Sequence, residues 1–284
     1  MITLKTDQDL PVYSDDSIQS EIWKKVCQYG EIRVLGMDSF SISVHKGLVL
    51  LNGHVSKKYH RDLMEEIARS MPGVRAVHNK LILDSDLIIQ VAQALSKDER
   101  TSHFIFPVGC ADGWIHLGGV VPRRELQIAA EEIAAQVPSV RGVLSRPRVI
   151  GEIYETDRRP IQPQIHAKTY DYNRQEGVVT QIVIQPRNRL VTHAVVSTSD
   201  FHDGKFVVHE HLVPVEAMDV VDTESVITKR NEPSLNAFPI FDPSNYPLAP
   251  SDWQPPYPYA AGDVRWPREE AENESGSSWL SATA

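Results

Sequence analysis

Two groups of side chains in this sequence are of types, and at spacings, that could do chemistry. The first is His209-Glu210-His211. On a strand, residues two apart share a face, so both imidazoles would point to one side and Glu210 to the other. Such a pair suits a transition metal, with His202 and Asp203 nearby in sequence, but no third ligand is evident, and a solvated strand end has the same pattern. The second group is cationic. Lys57, Lys58, His60 and Arg61 crowd the start of one predicted helix, and Arg123-Arg124 occupy the same place in another. Cations there oppose the helix dipole. Together with the free N–H groups of a helix start, however, they suit a phosphate or a carboxylate. The same residues also fit a solvated face in which Arg61 pairs with Glu65 and Glu65 with Arg69 at i,i+4 spacing. Glu65-Glu66 and Glu131-Glu132 read as surface charge and not as an acid/base couple.

Catalytic signatures are otherwise missing from the sequence. There is no G-x-x-x-x-G-K-[ST] loop, H-E-x-x-H helix, G-x-S-x-G elbow or paired C-x-x-C. His54, His78, His116 and His193 sit on predicted strands among valines and leucines, where a hydrogen-bonded structural histidine is the default. A protein without catalytic activity or cofactor is expected. The chain of 284 residues is too long for one ordinary core; 41% hydrophobic residues and a mean hydropathy of -0.29 supply several small ones. A net charge of -9 argues against DNA or general nucleic-acid binding. Cys27 and Cys110 are too few and too scattered for a disulfide framework or a zinc site. No apolar stretch has the length of a signal peptide or membrane span, so a cytoplasmic location is expected.

The elements that must position these residues come in two copies. Gly47 to Asp84 lines up without a gap on Gly113 to Ile150, pairing Gly53 with Gly119, Pro72 with Pro138 and Val77 with Val143; Glu65-Glu66-Ile67-Ala68 recurs as Glu131-Glu132-Ile133-Ala134. In the first copy, Asp16 with Gln19 reads as a capping box, and Ile18, Ile22 and Val26 follow at helical spacing. Phe40, Ile42 and Val44 alternate with polar residues up to Lys46-Gly47, and Leu48 to Val55 supplies the partner strand of a hairpin. His60, Leu63, Met64, Ile67, Ala68 and Met71 form one apolar helical stripe, ended by Pro72-Gly73. Val74, Val77, Leu81 and Leu83 mark a last strand. The order is αββαβ, a two-layer sandwich. The second copy repeats it: a helix from Asp86 through Val91 and Leu95, strands around Phe104 to Val108 and Trp114 to Val121 joined at Asp112-Gly113, and a helix carrying Leu126 to Val137.

The runs ISVHKGLVLLNGHV, RDLMEEIARSMPGV and RAVHNKLIL, with Gly53, Gly73-Val74, Val77 and Asn79 as their most specific positions, resemble the BON domain (bacterial OsmY and nodulation), whose members are small αββαβ modules. That resemblance covers roughly half the chain. It implies association with phospholipid. The second copy departs from the pattern, with Ser139 for Gly73, Ser145 for Asn79, and Pro147 inside the final strand, where it demands an edge or a bulge.

Farther on, Gly177 to Pro186 and Leu190 to Thr198 read as strands joined by Arg187-Asn188-Arg189; Asp203-Gly204 precedes Lys205 to His211, and Met218 to Val221 and Val226 to Thr228 follow. Short strands with apolar residues on both faces suggest a small closed all-β barrel. Gly177 to Val179, Ile184 to Pro186 and Val213-Pro214 resemble the PRC-barrel, an adaptor barrel. The tail from Pro233 is dense in proline and reads as a disordered, partly polyproline II segment; its aromatics Trp253, Tyr257, Tyr259 and Trp266 offer the other reading, burial against the barrel or a neighbouring copy.

The expected organisation is therefore α+β: an N-terminal extension (1–14), BON-like domains at 15–84 and 85–152, a linker (153–165), a PRC-barrel-like domain (166–232) and the tail (233–284). The expected function is that of a binding or adaptor protein. Lys57, Lys58, Arg61, Arg123 and Arg124 would meet anionic phospholipid or phosphate-bearing ligands, and the barrel and tail would meet protein partners or further copies of the chain. Alternatives are a metal-binding or hydrolytic protein built on His209 and His211, and a ribosome- or RNA-associated factor.

Overall fold

The computed structural model describes residues 13–33, 39–151, 161–202, 205–220 and 225–268. The expected N-terminal extension up to residue 12, most of the linker, the Asp203-Gly204 turn and the tail beyond residue 268 lie outside the described residues. The chain forms two compact units, one running to Leu87 and including Ala111–Gly113, the other comprising Ile88–Cys110 and everything from Trp114 on.

In the first unit, α1 (Asp15–Gln28) starts at Ser14, whose hydroxyl accepts the Ser17 N–H at 3.2 Å. Ser14 thus takes the capping role expected of Asp16. Ile18, Ile22 and Val26 are buried, as their spacing predicts. A short α2 (Gly30–Arg33) follows, then β1 (Phe40–His45) and β2 (Leu48–Val55), an antiparallel hairpin closed by Lys46-Gly47. Both turn residues have positive φ, 51° and 73°, the type I′ geometry that matches strand twist. Helix α3 (Lys58–Arg69) crosses to β3 (Ala76–Leu83), which pairs parallel with β2. The core joins the α1 face to Phe40, Leu51, Met64, Ala68 and Leu83.

The next module begins with α4 (Asp84–Lys97), two residues earlier than expected, and continues through β4 (Val108–Ala111), β5 (Trp114–Leu117), β6 (Val120–Val121), α5 (Arg124–Gln136), β7 (Gly142–Ser145) and β8 (Arg148–Val149). The order αββαβ recurs, but its sheet is split. β4, β5 and β7 form one sheet, while β6 and β8 pair separately. Two breaks cause this. The run expected to be continuous from Trp114 to Val121 is interrupted at Gly118-Gly119, and Pro147 interrupts the last strand, as a residue without an N–H must. The strand expected around Phe104 to Val108 lies later, at Val108–Ala111: the Pro107 carbonyl still accepts the Gly118 N–H at 2.7 Å, but proline has no N–H with which to carry the ladder further.

The remaining strands are β9 (Lys168–Tyr170), β10 (Glu176–Gln185), β11 (Leu190–His202), β12 (Lys205–Pro214), β13 (Met218–Val220), β14 (Ser225–Thr228) and β15 (Val264–Arg265). They run in the order β12-β11-β10-β9-β14-β13, with β15 beside β10. β12 and β13 stand at opposite ends, so the expected closed barrel is an open half-barrel. The tail compensates. β9 covers only Glu176–Val178 of the long β10, and β15 covers Ile182-Val183 on the same edge. On the outer strand, Phe241 N–H donates to the Glu210 carbonyl (2.7 Å) and Leu212 N–H to the Pro239 carbonyl (2.8 Å). Leu235, Phe238, Tyr259 and Val264 complete the core on one face, and Phe241 with Tyr246 packs against Val183, Val195 and Leu212 in a second cluster. Residues 233–268 are therefore ordered structure, a correction to the expected disordered tail. Proline forbids long ladders, but it leaves isolated edge hydrogen bonds and aromatic burial open. Among the described residues no helix is long and apolar enough to cross a membrane.

Candidate functional site

The basic helix starts are built alike. Lys57 caps α3 and Arg123 caps α5, neither with a side-chain hydrogen bond to the helix. No acidic residue lies in the first turn of α3; Glu125 lies in that of α5. The side chains of Lys57, Lys58, Arg123 and Arg124 are exposed and unpaired among the described residues. Arg61 differs, with its Nε 3.6 Å from Asp62 Oδ1, and His60 is buried with its Nδ1 3.3 Å from Ser56 Oγ. Of the expected helical ion pairs, Glu65 with Arg69 forms and Arg61 with Glu65 does not.

The histidines come together only as a pair. His209 and His211 have ring centroids 6.3 Å apart, but His211 is buried and its Nδ1–H donates to the Phe238 carbonyl at 3.0 Å. Among the described residues no group of three or more His, Cys, Asp or Glu side chains is placed to hold a metal. Burial pushes the His193 imidazole down to about 4, so it is neutral at ordinary pH, its Nδ1 3.1 Å from Thr192 Oγ1. His54 is buried as expected of a structural histidine, whereas His78 and His116 are exposed.

A repeated aspartate ties each first helix to its hairpin. Asp15 accepts the N–H groups of Lys46 (2.6 Å) and Gly47 (2.9 Å), and Asp84 those of Asp112 (3.0 Å) and Gly113 (2.8 Å). The bonds from Gly47 and Lys46 hold the Asp15 carboxyl below its usual range. Asp15 lies ahead of the gapless alignment and Asp84 is its last residue, set there against Ile150 and not against Asp15, which is why the repeat did not reveal the pair. Gly53, at φ 111°, is required sterically, since a Cβ there would lie 2.4 Å from the Ser39 carbonyl oxygen. Gly73 (φ 86°) has its counterpart in Ser139, which keeps positive φ at 69°. Asn79 links β3 to α3. Its Nδ2 donates to Glu65 Oε2 (2.8 Å) and to the Arg61 carbonyl (3.2 Å), and its Oδ1 accepts the Leu81 N–H (3.1 Å).

Residues 14–85 and 83–149 each match the BON domain. The chain carries tandem BON domains. No curated protein sequence matches it. Two solved structures of CdsD, a structural protein of the Type III secretion system of Chlamydia trachomatis, are similar in part. One is 15% identical over 46% of this chain and 59% of that chain, with a TM-score of 0.36. The other, the C-terminal domain, is 14% identical over 50% of this chain and 70% of that chain, with a TM-score of 0.41.

The second BON domain has a further arrangement of charge that the sequence did not disclose. Glu131, expected at the surface, is 1% exposed, and Arg187 Nε from the β10–β11 turn approaches its Oε2 to 3.2 Å. Next in that turn, the Asn188 carbonyl accepts the Val143 N–H at 2.9 Å. Arg189 then reaches the end of α5. Its guanidinium donates to the carbonyls of Ala135 (3.2 Å), Val137 (3.4 Å) and Gln254, and lies 4.9 Å from the centre of the Trp253 ring. Carbonyls at a helix C-terminus favour a cation. Burial pushes Arg189 down to about 10, still protonated at neutral pH. Arg141, 2% exposed, lies over Trp114 (5.1 Å) and Tyr257 (5.4 Å) and donates to Gln162 Oε1 at 2.6 Å. Three arginines thus join the second BON domain, the half-barrel and the tail. The available signal was the density of arginine in one turn, Arg187-Asn188-Arg189, opposite tail aromatics.

Proposed function

We propose that this chain is a non-enzymatic adaptor in which the BON domains meet anionic, phosphate-bearing surfaces and the half-barrel unit meets protein partners. One observation carries the reading: both BON domains start their second helix with exposed, unpaired cations and no capping side chain. Such a start presents free N–H groups beside positive charge, a combination that attracts phosphate. Lys57 and Lys58 are the principal contacts, Arg61 a supporting one, and Arg123 and Arg124 their counterparts. In the half-barrel unit, the buried ionisable groups Arg141, Arg189 and Glu131 serve the joint and not a reaction. We further read the half-barrel as related to the PRC-barrel. In support, Gly177 to Val179 opens β10, Ile184 to Pro186 closes it and Val213-Pro214 ends β12. A cytoplasmic location is part of this proposal.

The test is co-sedimentation with vesicles containing phosphatidylglycerol. Wild type is expected to bind weakly at low salt and to release as ionic strength rises past roughly 0.15 M, where the Debye length is about 8 Å. Lys57→Glu/Lys58→Glu/Arg61→Glu is expected to abolish binding with little change in melting temperature. Equal binding by wild type and a folded triple variant would reject the helix-start reading.

A further inference from the structure

The split sheet of the second BON domain contrasts with the unbroken three-stranded sheet of the first. Where β5 ends at Leu117 and the last strand breaks at Arg146-Pro147, an open groove of about 510 Å³ forms. Its walls include Pro107, His116, Gly118, Gly119, Arg146 and Arg148, and no Asp or Glu lines it. The two arginines are two apart in sequence, on either side of Pro147. Arg148 is exposed and its side chain has no partner among the described residues. Arg146 lies 4.0 Å from Glu131 Oε1, a carboxylate whose other oxygen already has Arg187 at 3.2 Å. One carboxylate between two arginines leaves net positive charge beside the groove. The opposite wall presents glycine backbone, which lets a ligand approach the main chain closely. An apolar rim adjoins it: Val120, which pairs with Arg148, is 52% exposed, and Ile105, whose carbonyl lies beside Gly119, is 91% exposed.

We infer that this groove binds a phosphate monoester, with Arg146 and Arg148 holding the dianion and Val120 and Ile105 receiving the organic part. Planar guanidinium groups match phosphate oxygens in two-point hydrogen bonds, and no Asp or Glu lines the groove itself to repel a dianion. The site is separate from the basic helix starts. In the first BON domain, the corresponding positions, Lys80 and Ile82, lie on the unbroken β3, where no such split opens.

Calorimetric titration of the full chain with inorganic phosphate, against chloride at matched ionic strength, tests the dianion half of the site. Glycerol 3-phosphate and vesicles containing phosphatidic acid then separate a soluble ester from a lipid headgroup. Wild type is expected to show saturable phosphate binding, and Arg146→Gln/Arg148→Gln to weaken it at least tenfold; Glu131 keeps Arg187, so the melting temperature should hold. Tighter binding of glycerol 3-phosphate than of inorganic phosphate supports a soluble ester, and vesicle binding lost in the same double variant supports a headgroup. Lys57→Glu/Lys58→Glu/Arg61→Glu is expected to leave phosphate binding intact, which distinguishes this site from the helix-start proposal. No saturable phosphate binding by wild type, or equal binding by a folded Arg146→Gln/Arg148→Gln variant, would overturn the inference.

Discussion

The two BON domains keep one scaffold and differ in what their equivalent side chains serve. In the first, Glu65 accepts from Asn79 and pairs with Arg69, all within the domain. In the second, the equivalent Glu131 is buried and pairs with Arg187 from the half-barrel turn. Ala76 at the start of β3 becomes Gly142 at the start of β7, where a Cβ would lie 2.7 Å from the Trp114 ring and 3.2 Å from the Asn188 carbonyl oxygen. The duplicated copy therefore traded internal ties for a joint. The consequence is mechanical: the first domain is self-sufficient at this face, and the second is one wall of a larger unit.

The strongest way to break the comparison is to end the chain after Asn231. This removes Leu235, Phe238, Tyr259 and Val264 from the half-barrel core and bares the β10 edge. At about 2 kcal/mol per large buried side chain, the loss is roughly 8 kcal/mol, comparable with the whole stability of a domain. Urea unfolding of the truncated chain is expected to lose the half-barrel transition and keep that of the first unit. A smaller but more selective effect should come from Gly142→Leu, which meets Trp114 and the turn carbonyl and is expected to destabilise the second unit by about 3 kcal/mol. Ala76→Leu, at an exposed position of the first domain, should stay within about 0.5 kcal/mol. Similar values for the two would mean that the joint is not what sets the domains apart.

The smallest expected effect concerns what the copies share. Asp15→Ala and Asp84→Ala each leave two turn N–H groups without their acceptor and should each lower the melting temperature slightly, the buried Asp84 more than Asp15. The Asp15 carboxyl is held low in the folded state, so its contribution is present above the unfolded value near 3.8 and is lost as pH falls through the depressed folded value. In acid titrations followed by circular dichroism, Asp15→Asn should flatten that part of the stability profile. An unchanged profile would remove the hydrogen-bond explanation of the shift.

Local periodicity carried the repeated modules well. The α3 stripe places His60, Met64, Ile67 and Ala68 inside, and Pro147 breaks its strand where the sequence says it must. What escaped was set by partners distant along the chain. Glu131-Glu132 repeats the letters of Glu65-Glu66, so identity concealed a change from surface to joint. Arg189 reads as a turn residue until the end of α5 and Trp253 are placed around it. The tail was misread for a related reason. Proline content reports on regular ladders, whereas this segment is held by side-chain burial and by isolated hydrogen bonds, such as Ser234 Oγ to Asp171 Oδ2 at 2.7 Å. Burial alone would raise the Asp171 carboxyl, but the Ser234 hydroxyl and the N–H groups of Gln175, Leu235 and Asn173 hold it low. The groove beside Arg146 and Arg148 was half legible, since the proline announced the break but not the cavity it opens.

That the tail supplies both edge cover and core to the half-barrel also orders events during synthesis. The first unit has all its strands and helices once the Asp112-Gly113 turn has emerged. The half-barrel lacks β15 until Val264-Arg265 leaves the ribosome, well after Glu176 to Pro214 have been made. Through that interval β10 and β12 present open edges, the state in which strands pair with the wrong neighbour. Vectorial translation thus makes the last described segment of the chain the one that ends its exposure to misassembly, and a ribosome stalled before this segment emerges would hold a sheet that cannot yet close its own edges.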